Sequence, residues 1–424
     1  MSRSLNRIAL LTSLYPAISQ MFITREVLGL RDTGFEVYTC SINKPRKEEL
    51  LTVQYRDEAS KTFYIKASNP VAIAMAHLRQ FSRSPSRYLS GFFHAVHAHQ
   101  PGVKGWLWGL FYFAEAGILA DWTERLNIGQ LHVNFANAGA SVAMIACWMA
   151  HLPFSIRVHG PAEFQDCRGL NLHGKFTSAQ AVICTSDFCR SQVLRLLSHE
   201  EWPKIRVVRC GIDPTVFQPQ PKQERRDSTT RFLCVARLAS AKGLPLLLHA
   251  CRTLLDSNMP FKCTLVGDGP DRGTLEALRD RLGLREHVCL VGAIGQDRIQ
   301  EYYDQADVFV LPTFAEGLPT VLMEAMAKGL PIISTTVMGI PELVQDGVEG
   351  LLIPPANAEP LAKAMRQLAE DPQLRRQLGK AGREKVIAEY NFATNITKLA
   401  QILQYDTGNE VADSTASITA AEKP

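Results

Sequence analysis

Apolar residues along this 424-residue chain fall mainly in short unbroken runs, separated by longer stretches in which apolar and polar positions recur with a helical period. Runs of about four to eight apolar residues bounded by turn residues predict strands buried on both faces. In the first half they cover residues 7–14, 35–41, 130–135, 154–159, 179–184 and 205–209. In the second half they cover 231–237, 261–266, 288–292, 307–311 and 330–334. Helices are predicted between them, and over 357–369, 372–388 and 392–404 at the close. Strands alternating with helices predict an α/β protein with parallel, doubly wound sheets. At this length two domains are expected: 1–212 and 231–390, joined by a Pro-rich polar linker at 213–230. Residues 391–405 form a last helix, and 406–424, small and polar, are expected to be disordered.

The densest stretch is 307–335. An apolar strand leads into the turn Ala315–Pro319, and a helix follows to Lys328, where Gly329 stops it. Pro319 suits the first helical position, where a missing N–H costs nothing. Glu316 lies in the loop and Glu324 on the helix, with the free N–H groups of the helix start between them, a place that suits an anion. Either acid alone is most simply a solvated side chain; the arrangement suggests a sugar, a diphosphate and a ribose held in line. A second cluster lies on the strand-to-helix loop after 231–237. Arg237 and Lys242 are set there over one crevice, an arginine able to fork onto two phosphate oxygens and a lysine adding a point charge. The turn Gly267-Asp268-Gly269-Pro270 ends the next strand. In the first half, PFSIRVHGPAEF puts His159 at the carboxyl end of a strand, where open α/β sheets hold ligands, with Glu163 close behind. A histidine satisfied by backbone is the competing reading.

These motifs resemble a family. E-G-L-P-T-V-L-M-E-A is similar to the E-x7-E motif of the family-4 glycosyltransferases, retaining enzymes of the GT-B fold. Arg237-x4-Lys242-Gly243 is similar to their R-x4-K-G, and Gly267-x-Gly269-Pro270, Gly211-Ile212-Asp213 and Gly339-Ile340-Pro341-Glu342 are similar to their turns. Pro16, Ser19 and Phe22 match the Pro-x-x-Ser-Glu-Thr-Phe entry of exopolysaccharide and colanic-acid-type members, whereas Gln20 and Met21 depart from it. The resemblance implies two Rossmann-like domains facing a cleft, the first for the acceptor and the second for the donor. It implies transfer of a sugar from a UDP- or GDP-type nucleotide-diphosphate sugar with retention. The implied catalytic residues are His159, Arg237, Lys242 and Glu316. Donor contacts fall to Arg237, Lys242, Gly267, Gly269, Glu316, Gly317, Leu318, Pro319, Thr320 and Glu324, and acceptor contacts to Ser19, His159 and Glu163. The acceptor is expected to be a glycan, lipid-linked, of surface polysaccharide biosynthesis. No Asp-x-Asp occurs, so no metal or other cofactor need be invoked. Two other classes fit the same plan: a nucleotide-sugar epimerase, and a non-catalytic nucleotide-sugar-binding subunit.

Charge and composition change this picture in one place. The net charge is only +4, but residues 1–212 carry 23 Lys and Arg against 15 Asp and Glu, and 213–424 carry 23 against 27. The first half is thus expected to meet something acidic. No nucleic-acid motif is present. Residues 59–114 hold six basic residues, no acid, and eleven of the 34 aromatics, which suits an anionic membrane surface. Equally open is a core helix at Trp106–Ala120 flanked by solvated arginines. His94, His97 and His99 lack the spacing of a zinc site. Ten scattered cysteines without a C-x-x-C pair, and no apolar run long enough to span a bilayer, lead us to expect a cytoplasmic protein, peripheral at the inner face of the cytoplasmic membrane.

Overall fold

The computed structural model describes residues 4–17, 20–50, 52–97, 103–220 and 228–405. The first half builds a seven-stranded sheet from β1 (Ser4–Leu14), β2 (Glu36–Asn43), β3 (Phe63–Tyr64), β4 (Ile128–Asn134), β5 (Phe154–Val158), β6 (Ala181–Cys184) and β7 (Ile205–Val207), in the order β3-β2-β1-β4-β5-β6-β7. The second half builds a six-stranded sheet from β8 (Thr230–Val235), β9 (Phe261–Val266), β10 (Val288–Gly292), β11 (Val308–Leu311), β12 (Ile332–Thr335) and β13 (Gly350–Ile353), in the order β10-β9-β8-β11-β12-β13. Every strand pair is parallel. In each sheet the chain starts in the middle, winds to one edge and returns to the other. This makes a crevice at the carboxyl ends of the central strands. The apolar runs are buried as their pattern predicts: β4, β5, β6, β11 and β12 present no exposed position. β3 and β13 were not expected. Two and four residues long, both sit at sheet edges, too short to leave a periodic signal.

The last helix, Phe392–Tyr405, leaves the second half and lies on the first. Its Ile396, Leu399, Ala400 and Leu403 join a core with Ile8, Leu10, Ile23, Val27 and Leu30. Gln130 at the sheet donates to the Leu403 carbonyl at 2.7 Å. Gly29, on the helix Met21–Asp32, lets the two helices meet, since a Cβ there would stand 2.7 Å from the Phe392 ring. Ile212 bridges to Asn391 and packs, with Phe217, in the core of the second half.

The helix Val103–Arg125 resolves the two readings of 59–114 by splitting them. Its second half is core, with Ala116, Leu119 and Ala120 fully buried. Its first half is not: Trp106, Trp108 and Phe111 are 49%, 49% and 62% exposed. The basic residues are largely compensated from outside the stretch. Arg79 and Arg83 pair with Asp121, Arg83 also with Glu124, Lys66 with Glu115, and Lys61 with Asp57.

Candidate active site

The site is assembled by loops at the carboxyl ends of β8, β9 and β11 in the second half and β4 and β5 in the first. After β8 the chain turns tightly through Arg237–Lys242, with Ala239 N donating to Arg237 O and Lys242 N to Ala239 O, both at 2.9 Å. Gly243 follows in the left-handed conformation (φ 62°), where a Cβ would lie 2.0 Å from the Pro312 carbonyl. Only glycine lets this loop reach the one after β11. Phe314 N and Thr313 Oγ1 then donate to the Ala241 carbonyl at 2.8 and 2.9 Å. The two loops are thereby pinned together, and Lys242 Nζ donates to the Glu316 carboxylate, both side chains about one-fifth exposed. Arg237 is exposed at the same loop.

Gly267 and Gly269 lie directly beneath that arginine. A Cβ on Gly267 (φ 139°) would stand 1.9 Å from the Ala236 carbonyl, and one on Gly269 2.3 Å from that of Leu238. Leu238 N donates to Asp268 O at 3.0 Å, and the turn so formed supports the residues flanking Arg237. These glycines act on the site through the backbone they support. The helix after β11 begins at Thr320, one residue later than its sequence suggests. Pro319 is its cap (ψ 119°), and no side chain occupies the cap hydrogen bond. The helix start beside Lys242 and Glu316 is therefore left for an anion. Leu318 and Pro319 are buried beneath it.

The first half closes over this loop. Gly317 lies so near His159 that a Cβ would stand 2.5 Å from the His159 carbonyl. His159 is partly buried, its ring packed against Phe22 and Phe135 at 4.8 and 4.6 Å. Its Nε2 lies 2.6 Å from Asn134 Oδ1, and Asn134 Nδ2 donates to Glu26 Oε1 at 2.9 Å. Burial, with Arg157 nearby, pushes the imidazole down to about 3, so it is neutral at working pH. Sequence reasoning missed Glu26, Asn134 and Arg157. Arg157 donates to Glu26 Oε2, and His132 Nε2 lies 3.2 Å from Glu26 Oε1. Burial works against the Glu26 carboxylate, yet Arg157, His132 and Asn134 hold it below the ordinary range.

Two of the expected contact residues are held by partners within the fold. Glu163, read as an acceptor contact, is 7% exposed. Its carboxylate accepts from Ala136 N and His159 N at 2.6 Å and from Gly160 N at 3.1 Å. Burial raises it, and the three N–H groups and Lys175 oppose that rise. It holds the loops after β4 and β5 together. Glu324 is 5% exposed and already partnered: Tyr303 Oη donates to Oε2 at 3.0 Å, and Arg25 from the first half lies 3.5 Å from Oε1. A ribose would have to enter that set. Ser19, His99 and the His97 side chain lie outside the described residues. Among the described residues no group of three His, Cys, Asp or Glu is placed to hold a metal.

The halves are also fastened away from the site. Glu342 of the second half accepts from Asp187 N at 2.9 Å and Phe188 N at 2.8 Å, the first two amides of the helix Asp187–Leu194. Arg209 stands beside this contact, 3.1 Å from Asp187 Oδ2, and Tyr390 Oη donates to Glu342 O at 3.0 Å.

With this geometry in place, the chain compares with known proteins as follows. Residues 217–385 match the family model of glycosyl transferases group 1. The amylovoran biosynthesis glycosyltransferase AmsK of Erwinia amylovora is 37% identical over 207 residues, which are 47% of this chain and 51% of that protein. The matched stretch spans about half the length of such curated relatives. Across nearly the whole chain, sucrose-phosphate synthase from Thermosynechococcus elongatus superposes with a TM-score of 0.72 at 20% identity, covering 94% of this chain and 98% of that one. Anabaena HepE in complex with UDP-glucose superposes with a TM-score of 0.70 at 17% identity, covering 94% and 99%. The fold is GT-B, and within it residues 217–385 are the part that is similar to glycosyl transferases group 1.

Proposed function

We propose that the chain is a retaining, family-4 glycosyltransferase. It moves a sugar, a hexose on this reading, from a nucleotide-diphosphate sugar to a lipid-linked glycan of surface polysaccharide biosynthesis. The observation that carries this reading is the Lys242–Glu316 pair, set beside an uncapped helix start and closed over by His159. Cleavage of a glycosyl–phosphate bond throws negative charge onto the diphosphate. Lys242, Arg237 and the amides at Thr320 are the groups that would receive it. Glu316 would then steady the sugar, and the leaving phosphate would take the acceptor proton. The family match of residues 217–385, the relatedness to AmsK, and the UDP-glucose held by HepE support this reading over an epimerase or a silent binding subunit. The test is a thermal-shift screen followed by transfer from the hit. A nucleotide-sugar at about a hundred times its Kd should stabilise the chain by about 2.7 kcal/mol. Donor turnover without any acceptor would point to the epimerase, and binding without transfer or hydrolysis to the silent subunit.

The lipid clause has its own support. The first half of the helix Val103–Arg125 packs against the preceding helix, Gly109 meeting the backbone of Ala95 and Val96. Trp106, Trp108 and Phe111 are exposed there, and Phe93, at the end of the preceding helix, is 58% exposed. An apolar, aromatic face beside the acceptor half fits an anionic bilayer from which a lipid-linked glycan is drawn. No helix of the described residues is long and apolar enough to cross a membrane, so contact would be at the surface. The chain should float with vesicles containing anionic lipid. Replacing Trp106, Trp108 and Phe111 by serine together should abolish flotation and leave the donor-induced thermal shift unchanged. Equal flotation of both proteins would remove the clause.

A further inference from the structure

The chain of hydrogen bonds behind His159 fixes which of its two ring nitrogens carries the proton. Glu26 is buried, and Arg157 keeps it a carboxylate, which only accepts. The Asn134 amide must therefore turn its NH2 group to Glu26, as it does at 2.9 Å, and its oxygen to His159. That oxygen also only accepts, so His159 Nε2, 2.6 Å away, must be the donor. A neutral imidazole with hydrogen on Nε2 has a bare lone pair on Nδ1, and no described residue donates to Nδ1. Phe22 and Phe135 pack against the ring, 4.8 and 4.6 Å away, and against each other at 6.1 Å. Phe22 lies one helical turn before Glu26 on the helix Met21–Asp32, so one helix supplies both the wall and the carboxylate.

We propose that Glu26 and Asn134 are positioning residues that lock His159 as the Nε2–H tautomer, so that its Nδ1 accepts a hydrogen bond from a hydroxyl of the sugar held in the cleft. The tautomer follows from the hydrogen-bond network alone. The identity of its partner rests on the transferase reading above. The consequence is a specificity rule: this position selects a group that donates. An O–H directed at Nδ1 is accepted, and a fluorine or an ether oxygen in its place is rejected. A neutral histidine is commonly credited with donating to a ligand; here the donor is already spent on Asn134. Arg157 and His132 contribute by keeping Glu26 ionised without themselves reaching the ring.

The experiment is long-range 15N–1H spectroscopy of the full chain labelled at histidine, with His159→Gln used to assign the signals. The expected result is one His159 species with Nε2 protonated and Nδ1 bare, unchanged between about pH 8 and 5.5, where an unperturbed histidine would titrate. Asn134→Asp keeps an acceptor on Nε2 but adds a charge, and should bring His159 titration into that window. Asn134→Ala should release the lock and give a mixture of tautomers. A single Nδ1–H species in the parent, or an unaltered His159 pattern in both variants, would overturn the assignment. If Asn134→Ala fails to fold, Asn134→Asp carries the same decision. A second arm adds UDP-glucose or GDP-mannose, whichever raises the melting temperature. The Nδ1 signal should shift toward the protonated range on saturation. An unmoved Nδ1 in a saturated complex would overturn the acceptor role, whereas failure of both donors to bind would count against the transferase reading and leave the free-state tautomer decided.

Discussion

Lys242→Ala should leave the chain folded and lower kcat for sugar transfer about a hundred- to a thousandfold, the usual cost of removing one preorganised group that meets developing charge. The folding side of this expectation comes from exposure. Lys242 and Glu316 are each about one-fifth exposed, and their loops are held by Gly243, Thr313 and Phe314 independently of the ion pair. Losing a partly solvated pair of this kind costs about 1 kcal/mol or less. The catalytic side comes from what remains. Without the ammonium, Glu316 would face the departing diphosphate with its own charge uncompensated, so the substitution removes an attraction and adds a repulsion. Glu316→Gln should itself lower turnover, because the amide no longer steadies the sugar, so adding it to Lys242→Ala should not restore activity to that of the parent. Steady-state transfer assays with the donor found by thermal shift read this directly. Turnover of Lys242→Ala within about tenfold of the parent would mean that the diphosphate is stabilised elsewhere.

The largest stability effect is expected at Arg157→Met. Arg157 is 5% exposed and Glu26 3%. Removing the cation leaves a buried carboxylate with only Asn134 and His132 to hold it, which costs about 3–5 kcal/mol in comparable buried pairs. The loss should appear as an early unfolding transition of the first half in calorimetry, and stabilisation by a nucleotide should not recover it. The double substitution Glu26→Gln with Arg157→Met should be far milder than the sum of its parts, since it also removes the stranded charge. A single variant melting within about 2 °C of the parent would show that Glu26 finds solvent or a proton instead.

How much of this was legible in the sequence depends on where each partner lies along the chain. The central strands were legible because those such as β4, β5, β6, β11 and β12 are buried on both faces and leave an apolar run, whereas the short edge strands β3 and β13 do not. The Arg237–Lys242 loop and the Glu316 loop were legible because each motif is local, and only a glycine at 243 explains why their strands' ends can touch. The partners of Glu163 were hidden for the opposite reason. An acid two residues beyond Gly160 and Pro161 looks poised for a ligand, and nothing local reveals that Ala136, a strand away, turns its N–H to the same carboxylate. Glu324 and Arg25 lie in different halves, so their approach could not be read from either motif. The helix Val103–Arg125 is mainly apolar from Gly105 to Ala120, and the pattern alone could not mark the point where it leaves the core. The network behind His159 joins Glu26, Asn134 and Arg157 from one helix and two strands. Its residues carry no shared spacing.

The contact that Glu342 makes with the first half has a consequence for how the chain tolerates change. Its partners are the amides of Asp187 and Phe188, which belong to the main chain. Almost any residue at 187 or 188 keeps them, proline excepted, so random drift on that side leaves the fastening intact. On the other side a single carboxylate of fixed reach is required, and shortening it to aspartate or neutralising it changes the contact at once. At this contact, one of several between the halves, the burden therefore falls on one position, and a survey of natural variants should find 342 more restricted than the pair of residues it grips.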